Sequence, residues 1–309
     1  MQSPLKKIVV YDLETGGLSS KYNSITEIAM VAIDLEKLTI IDEMSVMIKP
    51  RIYLSNIEED SLQEAKSLYK RLSTKDENTG IKTLIYKDEK ITLKNLEPLV
   101  MAIDLFKEKI NSDYKSKVLE MEDIDYLMGS ELSDIMSIYF DNAYNPQALE
   151  VTKIPKSLLI KEGIPYEEAF EEVNGFIKKH TVGNSKPIIA GHNIGNIPRR
   201  VVKGKEVGPN GFDNPFMEIF FKNNKADFFA SVNDLIIDTL QMARLKFWEL
   251  PSFSLGVVAN ELGLTLSQAH RALPDTIANA QVLVKMLKSL RGDGGVGTKY
   301  KREKFDLNY

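Results

Sequence analysis

Apolar residues recur along this chain in two periods. Residues 6–13 (K-K-I-V-V-Y-D-L), about 25–34 (I-T-E-I-A-M-V-A-I-D) and about 43–49 (M-S-V-M-I-K) are β-branched or alternating runs separated by short turns. They predict three successive strands in an antiparallel meander. Pro50 closes this block. Two further strands are predicted at K-P-I-I-A-G-H-N and D-L-I-I-D. Helical spacing predicts helices at about 165–180, 213–223, 253–262 and 271–290. The last contains D-T-I-A-N-A-Q-V-L-V-K-M-L and is amphipathic.

Residues 52–143 differ in character. Helical patterns fall near 59–73, 95–112 and 130–142, and a short strand pair brackets the K-D-E turn at 87–89. From Arg51 to Asn145 there are 13 Lys/Arg against 19 Asp/Glu, a net of −6 in a chain of net −4. The expectation is a compact core, residues 1–51 and 144–290, interrupted by an acidic, mainly helical insertion at 52–143. Residues 291–309 open R-G-D-G-G-V-G and end K-Y-K-R-E-K-F-D-L-N-Y, which reads as a flexible tail.

The 309 residues are 43% hydrophobic, enough for a sizeable core. The net charge carries no global basic signature, so nucleic acid could bind only through a local basic patch or metal ions. Cysteine is absent, which excludes disulfides, zinc-thiolate sites and cysteine nucleophiles. The N-terminal residues show no signal-peptide core and no run is long enough to span a bilayer. The expectation is a cytoplasmic protein with no membrane partner.

The chemistry is concentrated at the end of the first strand, V-V-Y-D-L-E-T-G-G-L. Residues two apart on a strand share a face, so Asp12 and Glu14 project together. Gly16 and Gly17 let the backbone come close to whatever lies above. Such a pair is either a solvated strand end or a site whose repulsion a cation offsets. His270 and Asp275, five apart at the start of the last helix, read as capping residues or as site residues. Asp213, at another helix start, reads as an N-cap or as a further carboxylate.

Taken in order, D-L-E-T-G-G, G-H-N-I with a nearby F-D, D-T-L and H-x-x-x-x-D resemble the DEDD exonuclease superfamily, histidine subclass. That family includes the proofreading epsilon subunit of bacterial DNA polymerase III. The resemblance covers about 1–50 and 144–290. It implies an α/β, ribonuclease-H-like fold: a mixed five-stranded sheet flanked by helices. It also implies two divalent metal ions, Mg²⁺ or Mn²⁺, and removal of nucleotides from a 3′ end. Oxygen-only ligands suit those ions, and two cations about 3.5–4 Å apart supply what phosphodiester hydrolysis needs. By resemblance, Asp12, Glu14 and Asp275 hold the first metal, Asp12 reaches the second, and Asp213 supports the second. His270 is the general base, since an imidazole titrates near neutrality. Thr15, Gly16, Gly17 and Leu18 cradle and wedge the terminal nucleotide, and His192 and Asn193 are further substrate-binding candidates.

One departure matters. The family runs G-H-N-x-x-F-D without a break, whereas here residues 195–210 separate Ile194 from Gly211-Phe212-Asp213. Excising them restores the motif, which assigns its aspartate to Asp213 rather than to Asn196. The segment carries Arg199, Arg200, Lys203 and Lys205 against Glu206, and R-V-V-K-G-K-E-V suits a small hairpin. It reads as a phosphate-contacting loop, as a tolerated surface insertion, or as a loop that displaces Asp213. The leading expectation is a 3′–5′ exonuclease on single-stranded DNA, associated with proofreading or replication and a DNA polymerase partner. The alternatives are an RNA exonuclease of the oligoribonuclease or ribonuclease T kind, and a catalytically weakened binding or scaffold subunit.

Overall fold

The computed structural model describes residues 5–75, 77, 79–113, 118–195, 200–202, 205–207, 211–265 and 271–292. β1 (Lys7–Thr15), β2 (Ile25–Asp34) and β3 (Thr39–Met47) form the expected antiparallel meander. β4 (Ile188–Gly191) pairs parallel with β1, and β5 (Ile236–Asp238) pairs parallel with β4. The sheet is mixed and five-stranded in the order β5-β4-β1-β2-β3. β3 begins at Thr39, before the apolar run that marks it in sequence. Its alternately exposed residues suit an edge strand, with one face wet.

The period of β1 decides which side of the sheet carries the chemistry. Val9, Tyr11 and Leu13 pack against α1 (Tyr166–Lys179) and α2 (Asp213–Asn223), in a cluster with Phe170, Phe216, Phe220 and Phe221. Ile8 and Val10 point the other way, onto Ala280 and Leu283 of α3 (Ala272–Arg291). Asp12 and Glu14 continue the Ile8–Val10 series. They therefore emerge on the α3 face, where that helix's first turn carries Asp275. Each fully buried aliphatic side chain here is worth about 1.5–3 kcal/mol, so the register of β1 is strongly fixed.

The acidic block has its own apolar cluster. Leu68, Leu99, Ile103, Phe106, Leu127, Ile135 and Tyr139 belong to it. So do Leu149, Ile154 and Leu159, so the helices Pro146–Thr152 and Lys156–Glu162 pack on the block, and the first of them also packs on β1 of the sheet. Its strand pair, Lys82–Tyr86 with Glu89–Ile91, turns on Lys87 and Asp88, both in the left-handed region. A helix at Met121–Met128 escaped the periodicity reading because half of its residues are acidic or exposed.

Candidate active site

The carboxylate cluster forms where three elements meet. One oxygen from each of Asp12, Glu14 and Asp275 lies within 4.8 Å of the others. Asp213, the first residue of α2, is buried beside them. Burial, then the charges of Asp213, Glu14 and Asp275, pushes the Asp12 carboxyl well above the usual range. Burial, then Asp275 and Glu27, raises Glu14 to about 8, while Arg271 pulls it down. Burial and Glu14 also raise Asp213, against two backbone hydrogen bonds that lower it. Without a counter-charge these acids drive one another toward the protonated form.

The residues fit a hard divalent cation. Asp213 Oδ1 is buried with no hydrogen-bond partner. A buried unsatisfied carboxylate oxygen is costly, and facing a three-carboxylate cluster it is the kind of atom a metal satisfies. Asp213 stands outside the 4.8 Å group, so the geometry separates three close ligand candidates from one set further back.

The motif preceding Asp213 is held in place from within. Asp238, at the end of β5, accepts the backbone N–H groups of Asn193 (3.0 Å), Gly195 (3.3 Å) and Leu240 (2.9 Å). His192 directs Nε2 to the Phe253 carbonyl (2.8 Å) and Nδ1 to the Thr239 hydroxyl (3.0 Å). The carbonyl requires Nε2 to donate; burial lowers the imidazole pKa, and the Thr239 hydroxyl beside Nδ1 also donates toward Asn279 Oδ1 (2.7 Å) and the Gly191 carbonyl (3.1 Å). Both ring nitrogens are thus engaged within the fold. Asn193 is exposed, in the left-handed region, and its carbonyl accepts from Phe212 N–H (3.0 Å). Tyr11 Oη donates to Asn214 Oδ1, and Asn214 Nδ2 donates to the Gly195 carbonyl (2.9 Å). These bonds draw the residues on either side of 196–210 together, next to Asp213.

A cleft of about 590 Å³ leads away from Glu14. Its lining includes Thr15, Gly17, Leu18, Gln147, Val151 and Phe212. Leu18 is 88% exposed and Val151 59% exposed, so the cleft presents unpaired apolar surface beside the acids. Gly16, between two lining residues, packs tightly against the chain at 143–145. A Cβ there would lie 2.3 Å from the Ala143 carbonyl oxygen, and Asn145 N–H donates to the Gly16 carbonyl (2.8 Å). Thr15 Oγ1 turns inward to the Gly17 carbonyl (2.7 Å).

Of the remaining sequence candidates, His270, Arg199 and Lys203 lie outside the described residues. Arg200 and Lys205 fall on a two-strand pair, Arg200–Val202 with Lys205–Val207, which is the expected hairpin. Sequence reading missed Glu27, Arg271 and Asp238. The D-T-L motif marked the last of these without giving it a role.

No protein-family model matches the chain. In sequence, 102 residues are 35% identical to the PolC-type DNA polymerase III of Bacillus cereus, covering 29% of this chain. Another 65-residue match is 42% identical to the PolC-type DNA polymerase III of Staphylococcus saprophyticus. The chain spans only 7% and 4% of those relatives' lengths. In structure, it resembles Escherichia coli exonuclease I in complex with a dT13 oligonucleotide. The TM-score is 0.51 at 16% identity, over 93% of this chain and 42% of that one. The zinc-bound form of the exonuclease I–single-stranded DNA complex gives the same score. In sequence like PolC-type DNA polymerase III, and in fold like exonuclease I, the chain carries the resemblance to the DEDD exonuclease superfamily, histidine subclass, that its motifs spell out.

Proposed function

We propose that this protein is a metal-dependent 3′–5′ exonuclease that removes nucleoside monophosphates from single-stranded DNA. One observation carries the reading: oxygens of Asp12, Glu14 and Asp275 converge within 4.8 Å, beside the unpartnered Asp213 Oδ1. Asp12, Glu14 and Asp275 would hold one Mg²⁺ or Mn²⁺, and Asp12 with Asp213 a second. Bound there, the ions supply a nucleophilic water at neutral pH and offset charge on the phosphoryl oxygens. The protein's own groups do the rest. Thr15, Gly16, Gly17 and Leu18 seat the terminal nucleotide in the cleft, with Leu18 and Val151 giving apolar contact to bases of any sequence. His270 takes the proton of the attacking water. Arg199, Arg200, Lys203 and Lys205 meet phosphates beyond the cleft, while the exposed Asn193 contacts the substrate and His192, bonded within the fold, holds the turn that carries it.

The DNA preference is supported by the likeness to exonuclease I, which has been crystallised with dT13 and dA16. A replication context and a polymerase partner are supported by the PolC matches. Among the described residues no helix is long and apolar enough to cross a membrane. With cysteine absent, a cytoplasmic site of action is the reading that fits. The test is purified protein with Mg²⁺ or Mn²⁺ and 5′-labelled single-stranded DNA and RNA side by side. Stepwise shortening of DNA ahead of RNA supports the proposal. Faster shortening of RNA makes the protein an RNA exonuclease, and DNA bound but never shortened makes it a binding subunit.

A further inference from the structure

Glu27 lies directly opposite Glu14 in the antiparallel pairing of β1 and β2. Side chains directly opposite on one face stand about 4.5–5.5 Å apart at Cβ, and like charges there repel. Yet Glu27 is only 3% exposed. Its carboxylate is fully engaged. Arg271 donates through Nε to Oε2 (3.1 Å) and through Nη2 to Oε1 (3.2 Å). Ala272 N–H donates to Oε2 (3.2 Å), and Ser45 Oγ to Oε1 (3.0 Å).

Three of these four bonds come from the start of α3. Arg271 is that helix's N-cap and supplies no capping side chain of its own. The first N–H groups of a helix need an acceptor, and here it comes from β2, 245 residues away in sequence. The forked guanidinium on the same carboxylate adds two bonds of fixed geometry. The first turn follows at once: Asp275 N–H donates to the Arg271 carbonyl (3.2 Å), which sets where Asp275 stands over β1.

We infer that Glu27 and Arg271 are positioning residues for the metal centre: the pair fixes the first turn of α3 to the sheet, so that Asp275 meets Asp12 and Glu14. Neither residue is a ligand, since Glu27's oxygens are spent on Arg271, Ala272 and Ser45. The inference rests on the metal-centre reading above, and its test does not use turnover. Outer-shell partners of metal ligands typically cost 10–100-fold in metal affinity when removed.

The experiment is Mn²⁺ binding to the full chain without nucleic acid, followed by electron paramagnetic resonance or calorimetry. Glu27→Gln keeps the shape but loses the charge, and should weaken Mn²⁺ binding by about 10–100-fold. Arg271→Lys keeps the charge but loses the fork, and should fall between Glu27→Gln and wild type. Leu18→Ala, in the cleft, is the control and should bind Mn²⁺ as wild type does. If Glu27→Gln does not fold, Arg271→Lys, on a side chain 36% exposed, decides the matter. Mn²⁺ affinity within twofold of wild type in the folded variants overturns the inference. A wild type that binds Mn²⁺ but shortens no DNA would overturn the proposed function and leave the role of this pair standing.

Discussion

Gly211 packs backbone to backbone against Gly195: a Cβ on Gly211 would lie 2.2 Å from Gly195 N and 2.3 Å from the Ile194 carbonyl carbon. The two ends of the basic segment therefore touch, and Asn214 N–H closes the junction on the Ile194 carbonyl (3.3 Å). The base is complete without the loop.

Gly211 also has φ +98, which side-chain-bearing residues rarely adopt. Gly211→Ala should cost at least about 1–3 kcal/mol and lower Tm by several degrees. Deleting residues 196–210, which joins Gly195 to Gly211, should leave Tm close to that of the full chain. A deletion that unfolds the protein in a thermal melt would show that the loop holds its own base together.

The basic loop should act on binding and not on stability. Changing Arg199, Arg200, Lys203 and Lys205 to Ala should flatten the salt dependence of oligonucleotide binding. Each neutralised charge contributes about −0.7 to that slope on single strands, so the change is up to about two or three units. Turnover at saturating substrate should fall less than affinity. An unchanged slope would reduce the loop to a tolerated insertion.

The raised Glu14 carboxyl makes the metal-free protein pH-sensitive in a defined direction. Its folded pKa, about 8, lies above the ordinary 4.5, so the native state binds more protons than the unfolded state between those values. Stability in EDTA should therefore fall as pH rises through that window. Metal binding at pH 7 should release protons, seen by calorimetry in buffers of different ionisation enthalpy. Stability that rises over the same window in EDTA would contradict the direction given for Glu14.

Asp12 shows the conflict between stability and chemistry most clearly. Its charged form is destabilised by burial and by four neighbouring acids, Asp213, Glu14, Asp275 and Glu27. Asp12→Asn should abolish turnover yet raise Tm in EDTA by a few degrees, because it removes like-charge repulsion from a functional site. A fall in Tm would mean that the carboxylate itself holds the fold.

The sheet and half of the site were legible in sequence because their signals are local. Asp12 and Glu14 are two apart on one strand, and Asp275 opens a helix whose apolar stripe reads plainly. Glu27 was not legible. It sits in I-T-E-I-A-M-V-A-I-D, where a lone Glu looks like a wet position, and its partner Arg271 lies 244 residues on. Asp238 was hidden likewise, since its work as a clasp on Asn193 and Gly195 depends on the parallel pairing of β4 and β5. The stretch 146–162 carries no signal of which core it joins; in the fold Leu149 and Leu159 pack with the acidic block while Pro146–Thr152 also lies against β1.

The central claim is that this carboxylate cluster removes nucleotides from a 3′ end with the help of divalent metal. The most direct measurement is the product pattern from 5′-labelled single-stranded DNA with Mg²⁺ or Mn²⁺, with EDTA, and with Asp12→Asn. The account predicts a ladder of 5′-labelled products shortening one nucleotide at a time, and none with chelator or with the variant. Shortening that persists in excess EDTA, or immediate release of the 5′-labelled nucleotide, would contradict it.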